Sequence, residues 1–110
     1  MYKLGDIVLV KMHPSSGREL KKFRPATVLY EQANRGFTTF IPLTNQTKIY
    51  SADTEFLVKP TNLNGLEKPS LLLCWYVQTV GNHRIQKTIG KLSKDDLNRI
   101  AKAMKKIIPL

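Results

Sequence analysis

At residue 93 the hydrophobic pattern changes period, and that change splits the chain into a strand-forming part and one helix. Ser93 followed by Asp96 resembles a capping box, with Asp in place of the commoner Glu. Asp95 and Asp96 suit the positive end of a helix. Leu97, Ile100, Ala101, Met104, Ile107 and Ile108 then recur at helical spacing. Lys102, Lys105 and Lys106 fall in the last turns, where cations are favoured. The spacing predicts a helix over 93–107. Everything before it reads as strand: 6–13, 25–31, 36–44, a short segment 54–58 suited to an edge, 70–80, and 84–92 after a Gly81-Asn82 turn. From Leu71 to Val77 the 70–80 run is almost wholly apolar, which implies burial on both faces, in the core or in a subunit interface. Strands followed by one closing helix make a small α+β domain, a partly closed β-barrel with a C-terminal α-helix. The 110 residues suit a single domain spanning 1–110, with one modest core.

Eighteen Lys and Arg stand against eight Asp and Glu, a formal net charge of +10. Such a balance attracts polyanions, among them RNA, DNA, anionic membrane and acidic protein segments, and composition does not choose between them. Cys74 is the one cysteine, which excludes an internal disulfide and leaves a buried small hydrophobe or a reactive thiol. No His, Cys and Asp cluster has metal-ligand spacing, so neither a metal nor another cofactor is expected. The apolar stretch at residues 7–10 is too short for a signal peptide, and no segment approaches a membrane span, so a cytoplasmic protein with no membrane partner is expected.

Three connections are long for so small a chain: 14–23, 45–53 and 59–69. Long ordered loops on a rigid scaffold often carry function. The first, with the Arg24 that follows it, brings Arg18, Lys21, Lys22 and Arg24 together, four cations within seven residues, opposed by Glu19. Pro25 keeps Arg24 extended at the start of a strand. There the guanidinium either presents its forked donors to a phosphate or pairs with Glu19. The second functional stretch is Pro42-Leu43-Thr44-Asn45-Gln46-Thr47-Lys48, where a strand ends in hydroxyls, amides and a lysine. These groups suit phosphate oxygens and base edges, and they equally suit a plain turn. Phe23, Trp75 and Tyr76 are either base-stacking aromatics or core and interface residues. His13 and His83 are a strand-end and a turn histidine, either inert or, for His13, placed to move a proton near the first loop.

Taken together these segments resemble the MazF/PemK toxin family. The resemblance is carried by Gly5-Asp6-Ile7-Val8-Leu9-Val10, then Gly17-x-Glu19, Arg24-Pro25-Ala26 and Pro42-Leu43-Thr44, in order and at the family's spacing. It continues through Ser70-Leu71-Leu72-Leu73, Gln78-Thr79-Val80 and Ile89-Gly90-Lys91-Leu92-Ser93. It implies a small SH3-like barrel with a terminal helix, a homodimer, and single-stranded RNA lying across the dimer. It also implies metal-free cleavage, in which the 2′-hydroxyl attacks the adjacent phosphate to leave a 2′,3′-cyclic phosphate. By that likeness Arg24 stabilises the phosphorane charge and protonates the leaving oxygen, and Thr44 bonds the scissile phosphate. Glu19 is the candidate base, and Arg18, Lys21, Lys22, Phe23, Asn45, Gln46 and Lys48 are the RNA contacts. An acidic antitoxin, disordered until bound, is the implied partner.

The chain departs from the pattern in three places. Arg18 stands where relatives have Ser or His. Lys21-Lys22-Phe23 replaces Gly-Gly before Arg-Pro. Leu73 and Trp75 flank Cys74 where some relatives carry an Arg and Asp acid/base pair. Two other functions therefore stay open: a catalytically silent nucleic-acid-binding barrel, and a same-fold gyrase poison resembling the CcdB relatives.

Overall fold

The computed structural model describes residues 1–11 and 23–110. Among them seven strands and one helix follow in the order β1 (Asp6–Val10), β2 (Arg24–Gln32), β3 (Phe37–Thr44), β4 (Glu55–Val58), β5 (Ser70–Leu73), β6 (Gln78–Gly81), β7 (Ile85–Lys91) and α1 (Lys94–Ile107). A single 3-10 turn, Asn82–Arg84, joins β6 to β7. The sheet runs β4-β5-β3-β2-β1-β7, with β6 pairing to β3. The described pairings are all antiparallel. β4 and β7 end the path without pairing to each other, so the sheet curls without closing. Register shifts in the β1–β7 pair and at Leu29 in β2 supply local bends, because an extra residue on one strand increases its twist.

Alternation along the central strands gives two cores on opposite faces of the sheet. Val8, Val10, Ala26, Val28 and Phe40 fill the inside of the curl with Val80 and Ile85. Ile7, Ile41 and Leu43 point the other way and meet Phe56, Leu72, Cys74 and the helix residues Ile100 and Ala103. The helix begins where its cap was expected: Ser93 Oγ accepts from Asp96 N at 3.2 Å. Arg99 lies with its guanidinium 4.0 Å from the centroid of Phe56, holding the helix against β4. The expected helix face differs at three positions, one of them Ile108, which caps the helix and is half exposed. Ala101 is exposed and Ala103 is buried, because the apolar stripe is centred on Ile100, Met104 and Ile107.

The strand expected over 6–13 ends at Val10, and His13 lies outside the described residues. The strand expected over 70–80 is in fact two. Both parts pair with the same edge of β3: Leu72 opposite Leu43, and Gln78 opposite Phe40. Two residues separate the β3 partners and five separate theirs, so the three extra residues are thrown off the ladder around Cys74, Trp75, Tyr76 and Val77. Apolar composition could not reveal this departure. Cys74 stays fully buried, while Trp75 turns out to 49% exposure.

Candidate active site

Arg24 opens β2 and is partly buried. Its Cα partner on β1 is Val10. On the other side the β2–β3 ladder ends with Ala26 opposite Pro42, two residues after Arg24 and two before Thr44. Partners across an antiparallel pair share a face. Arg24 and Thr44 thus extend the face that carries Val10, Ala26 and Pro42. Arg24 has an electrostatic or hydrogen-bonded partner of its own. Thr44 Oγ1 accepts from Gln46 N at 3.2 Å, which leaves the hydroxyl hydrogen for another acceptor.

Among the described residues, recesses border Arg24, Thr44 and the far end of β3. A cleft of about 580 Å³ is bordered by Phe23, Arg24 and Asn45 and walled by residues 65–68 and Ser70. That wall is held in place by Asn64, whose Oδ1 accepts from Thr61 N and Leu66 N, each at 3.0 Å. A smaller recess of about 260 Å³ holds Thr44, Gln46, Lys48, Tyr50, Glu55 and Trp75. A third, of about 620 Å³, carries Lys11, Phe23, Phe37, His83 and Arg84. Arg24 and Thr44 border different recesses. Gln78 Oε1 and Arg84 Nη2 are buried with no hydrogen-bond partner among the described residues. Opposite Phe40, Gln78 lies on the face that Arg24 extends.

Phe23, Asn45, Gln46 and Lys48 are exposed, as a binding rim requires. Glu19, Arg18, Lys21 and Lys22 lie outside the described residues. Glu55 was not singled out in the sequence, and it organises the Thr44 recess. Its Oε2 accepts from Trp75 Nε1 at 2.6 Å, and its Oε1 accepts from Tyr50 N at 2.9 Å and Ser51 N at 3.4 Å. Burial pushes this carboxyl upward, but the backbone donor of Tyr50, then the Trp75 indole and the Ser51 N–H, outweigh it and hold the group below the usual range. The sequence puts no carboxylate beside Trp75; the fold does. The available signal was a lone acid in an otherwise apolar short strand, Glu55-Phe56-Leu57-Val58. Cys74 is a buried thiol, pushed up to about 11 chiefly by burial, with Arg99 pulling it down and Glu55 pushing it further up. It is protonated at neutral pH and is no nucleophile. Among the described residues no three His, Cys, Asp or Glu side chains converge on one point, and no helix is long and apolar enough to cross a membrane.

The family model of PemK-like, MazF-like toxins of type II toxin–antitoxin systems matches residues 3–108. The chain belongs to this family. Solved structures share its fold. The Mycobacterium tuberculosis toxin MazF-mt6 is 25% identical, the match covering 96% of this chain and 97% of that one with a TM-score of 0.73. MazF from Deinococcus radiodurans is 18% identical, with 99% and 97% covered and a TM-score of 0.72. A mycobacterial endoribonuclease in complex with its cognate antitoxin is 16% identical, with 100% and 97% covered and a TM-score of 0.76. No curated protein sequence matches the chain. As a MazF/PemK-type toxin the chain carries Trp75 and Leu73 around Cys74, and the carboxylate nearest that indole comes from β4 instead of the same strand.

Proposed function

We propose that this toxin is an endoribonuclease acting in the cytoplasm as one domain. It cuts single-stranded mRNA without the ribosome and without a metal cofactor. The observation that supports this most is that the β2–β3 ladder ends just short of both Arg24 and Thr44, with Arg24 on the 580 Å³ cleft and Thr44 on the recess of 260 Å³, on a chain of net charge +10. A fold neighbour described as an endoribonuclease with its antitoxin supports both the activity and the partner. Family membership favours RNA cleavage over gyrase poisoning.

The chemistry asks little of the protein because the nucleophile is the substrate's own 2′-hydroxyl. That oxygen loses its proton and bonds to the adjacent phosphorus. The bond from phosphorus to the 5′-oxygen breaks, and the leaving oxygen takes up a proton. The products are a 2′,3′-cyclic phosphate and a 5′-hydroxyl. Arg24 neutralises the charge that grows on the phosphoryl oxygens, and Thr44 donates its hydroxyl hydrogen to one of them. In-line attack needs a flexible strand, which favours single-stranded RNA over a duplex. Glu19 is the proposed base. Glu55 is a poor one, since three donors occupy its oxygens and its carboxyl is held low. The protein acts as a homodimer with RNA across the pair, and an acidic antitoxin occupies the same basic face.

Incubation with a long unstructured RNA in EDTA tests this. Cleavage is expected, and Arg24→Ala lowers its rate by about 10²–10³ with the fold retained. Unchanged cleavage in that variant would remove Arg24 from the chemistry. The second reading, a silent RNA-binding barrel, is favoured by Leu73 and Trp75 standing in place of the acid/base pair. Salt-sensitive binding without turnover of any RNA would select it.

A further inference from the structure

We propose that the small recess beside Thr44 is a nucleobase pocket, in which one base of the bound RNA stacks on the indole of Trp75. The choice of ligand rests on the RNA reading above; the geometry of the pocket does not.

Trp75 stands half-exposed directly after a fully buried cysteine, so the chain turns this ring outward at the point where it leaves the β3 ladder. Tyr76 stacks on it, with ring centroids 5.3 Å apart and planes 9° from parallel. Trp75 lines the recess and Tyr76 does not, so the base is proposed to stack on the indole face turned from Tyr76. The single indole donor is already bonded to Glu55 at 2.6 Å, so the ring offers a flat π surface and no N–H. A planar base complements such a surface.

The recess is also built to hold its shape. Glu55 is 5% exposed and ties the indole to the backbone of Tyr50 and Ser51. One buried anchor therefore holds the indole and the backbone that carries the exposed Tyr50 ring, and Lys48 Nζ sits 5.0 Å from that ring's centroid. Thr44 and Gln46 bring a hydroxyl and an amide to the rim, groups able to bond both donor and acceptor edges of a base. The volume, about 260 Å³, lies below the roughly 300 Å³ at which pockets for drug-sized ligands begin, which suits one base. With one lysine and one carboxylate the recess has little net charge, so an acidic peptide gains less here than on the Arg24 side. Glu55 is a positioning residue and Trp75 is the contact.

Trp75 is the only tryptophan, so intrinsic fluorescence reports this ring alone. The full-length protein is titrated with short 2′-O-methyl oligoribonucleotides of each base, which bind but cannot be cut. Inorganic polyphosphate and an acidic peptide serve as charge controls. Quenching by the oligonucleotides, unequal among bases and absent with the controls, is the expected result. Trp75→Ala weakens binding measured by anisotropy about 5- to 150-fold and flattens the base preference, while Trp75→Phe largely restores both. Oligonucleotide binding that leaves the emission unchanged would overturn the pocket. So would quenching by the peptide or polyphosphate to the same extent, or an indole shielded from acrylamide in the free protein, which would place a second copy over it. Loss of RNA cutting with quenching intact removes the enzyme and leaves the pocket; cutting without quenching does the reverse.

Discussion

Glu55 shows how one side chain sets a pH limit. Its carboxylate receives three hydrogen bonds in the fold, and its carboxyl is held below 4.5 despite burial. The unfolded chain offers none of these donors, so unfolding takes up a proton at low pH. The stability from this group is fully present above about pH 4.5 and is lost as pH falls through the depressed folded value. Glu55→Gln removes the titration. In urea denaturation between pH 7 and 3, the native protein is expected to lose stability more steeply than the variant. Parallel curves would show that the three hydrogen bonds do not favour the charged form.

At the scale of elements, the 59–69 loop owes its position to two glycines. Gly65 has a φ of +69°, and a Cβ there would sit 2.1 Å from the Ile89 carbonyl oxygen. A Cβ on Gly90 would lie 2.4 Å from the Asn64 backbone. The loop and β7 therefore meet backbone to backbone, joined by Lys91 N donating to Leu63 O at 3.0 Å. Gly90→Ala must push the loop off the strand. A loss of about 1–3 kcal/mol in thermal or urea unfolding is expected, together with weaker RNA binding, since this loop walls the Arg24 cleft. A variant as stable as the native chain would mean that the loop shifts freely.

Much of this level was legible beforehand. The central strands and the helix start follow from alternation and from the Ser93 cap, both local properties. The break in the 70–80 run was not, because a ladder excursion depends on which residues of β3 lie opposite. Nothing in Leu71 to Val77 encodes that count. The helix face was misjudged at Ala101 because alanine carries too little apolar weight to fix the phase of a stripe.

Over the whole molecule, excess positive charge is the property most plainly written in the sequence, and it determines how RNA binding responds to salt. For single strands the slope of log K against log salt is roughly −0.7 per phosphate contacted. Arg24→Ala should flatten the slope measured on uncleavable RNA by about 0.7, whereas Glu55→Gln should leave it unchanged. Equal slopes for Arg24→Ala and the native chain would mean that Arg24 meets no phosphate. Arg24 and Thr44 enter the candidate site as proposals from the ordered motifs. The Glu55–Trp75 pair was not legible there, since its members lie twenty positions apart and are brought together by the β4–β5 pairing and the Cys74 N to Thr54 O bond beside it.

The central claim is that the substrate's own 2′-oxygen is the nucleophile. Mass spectrometry of the fragments formed in EDTA tests it, comparing an RNA with the same RNA carrying a single 2′-deoxynucleotide at the cut position. The account predicts 2′,3′-cyclic phosphate ends from the first and no cut at that position in the second. Linear phosphate ends formed without a cyclic precursor, or cleavage at the deoxy position, would contradict it.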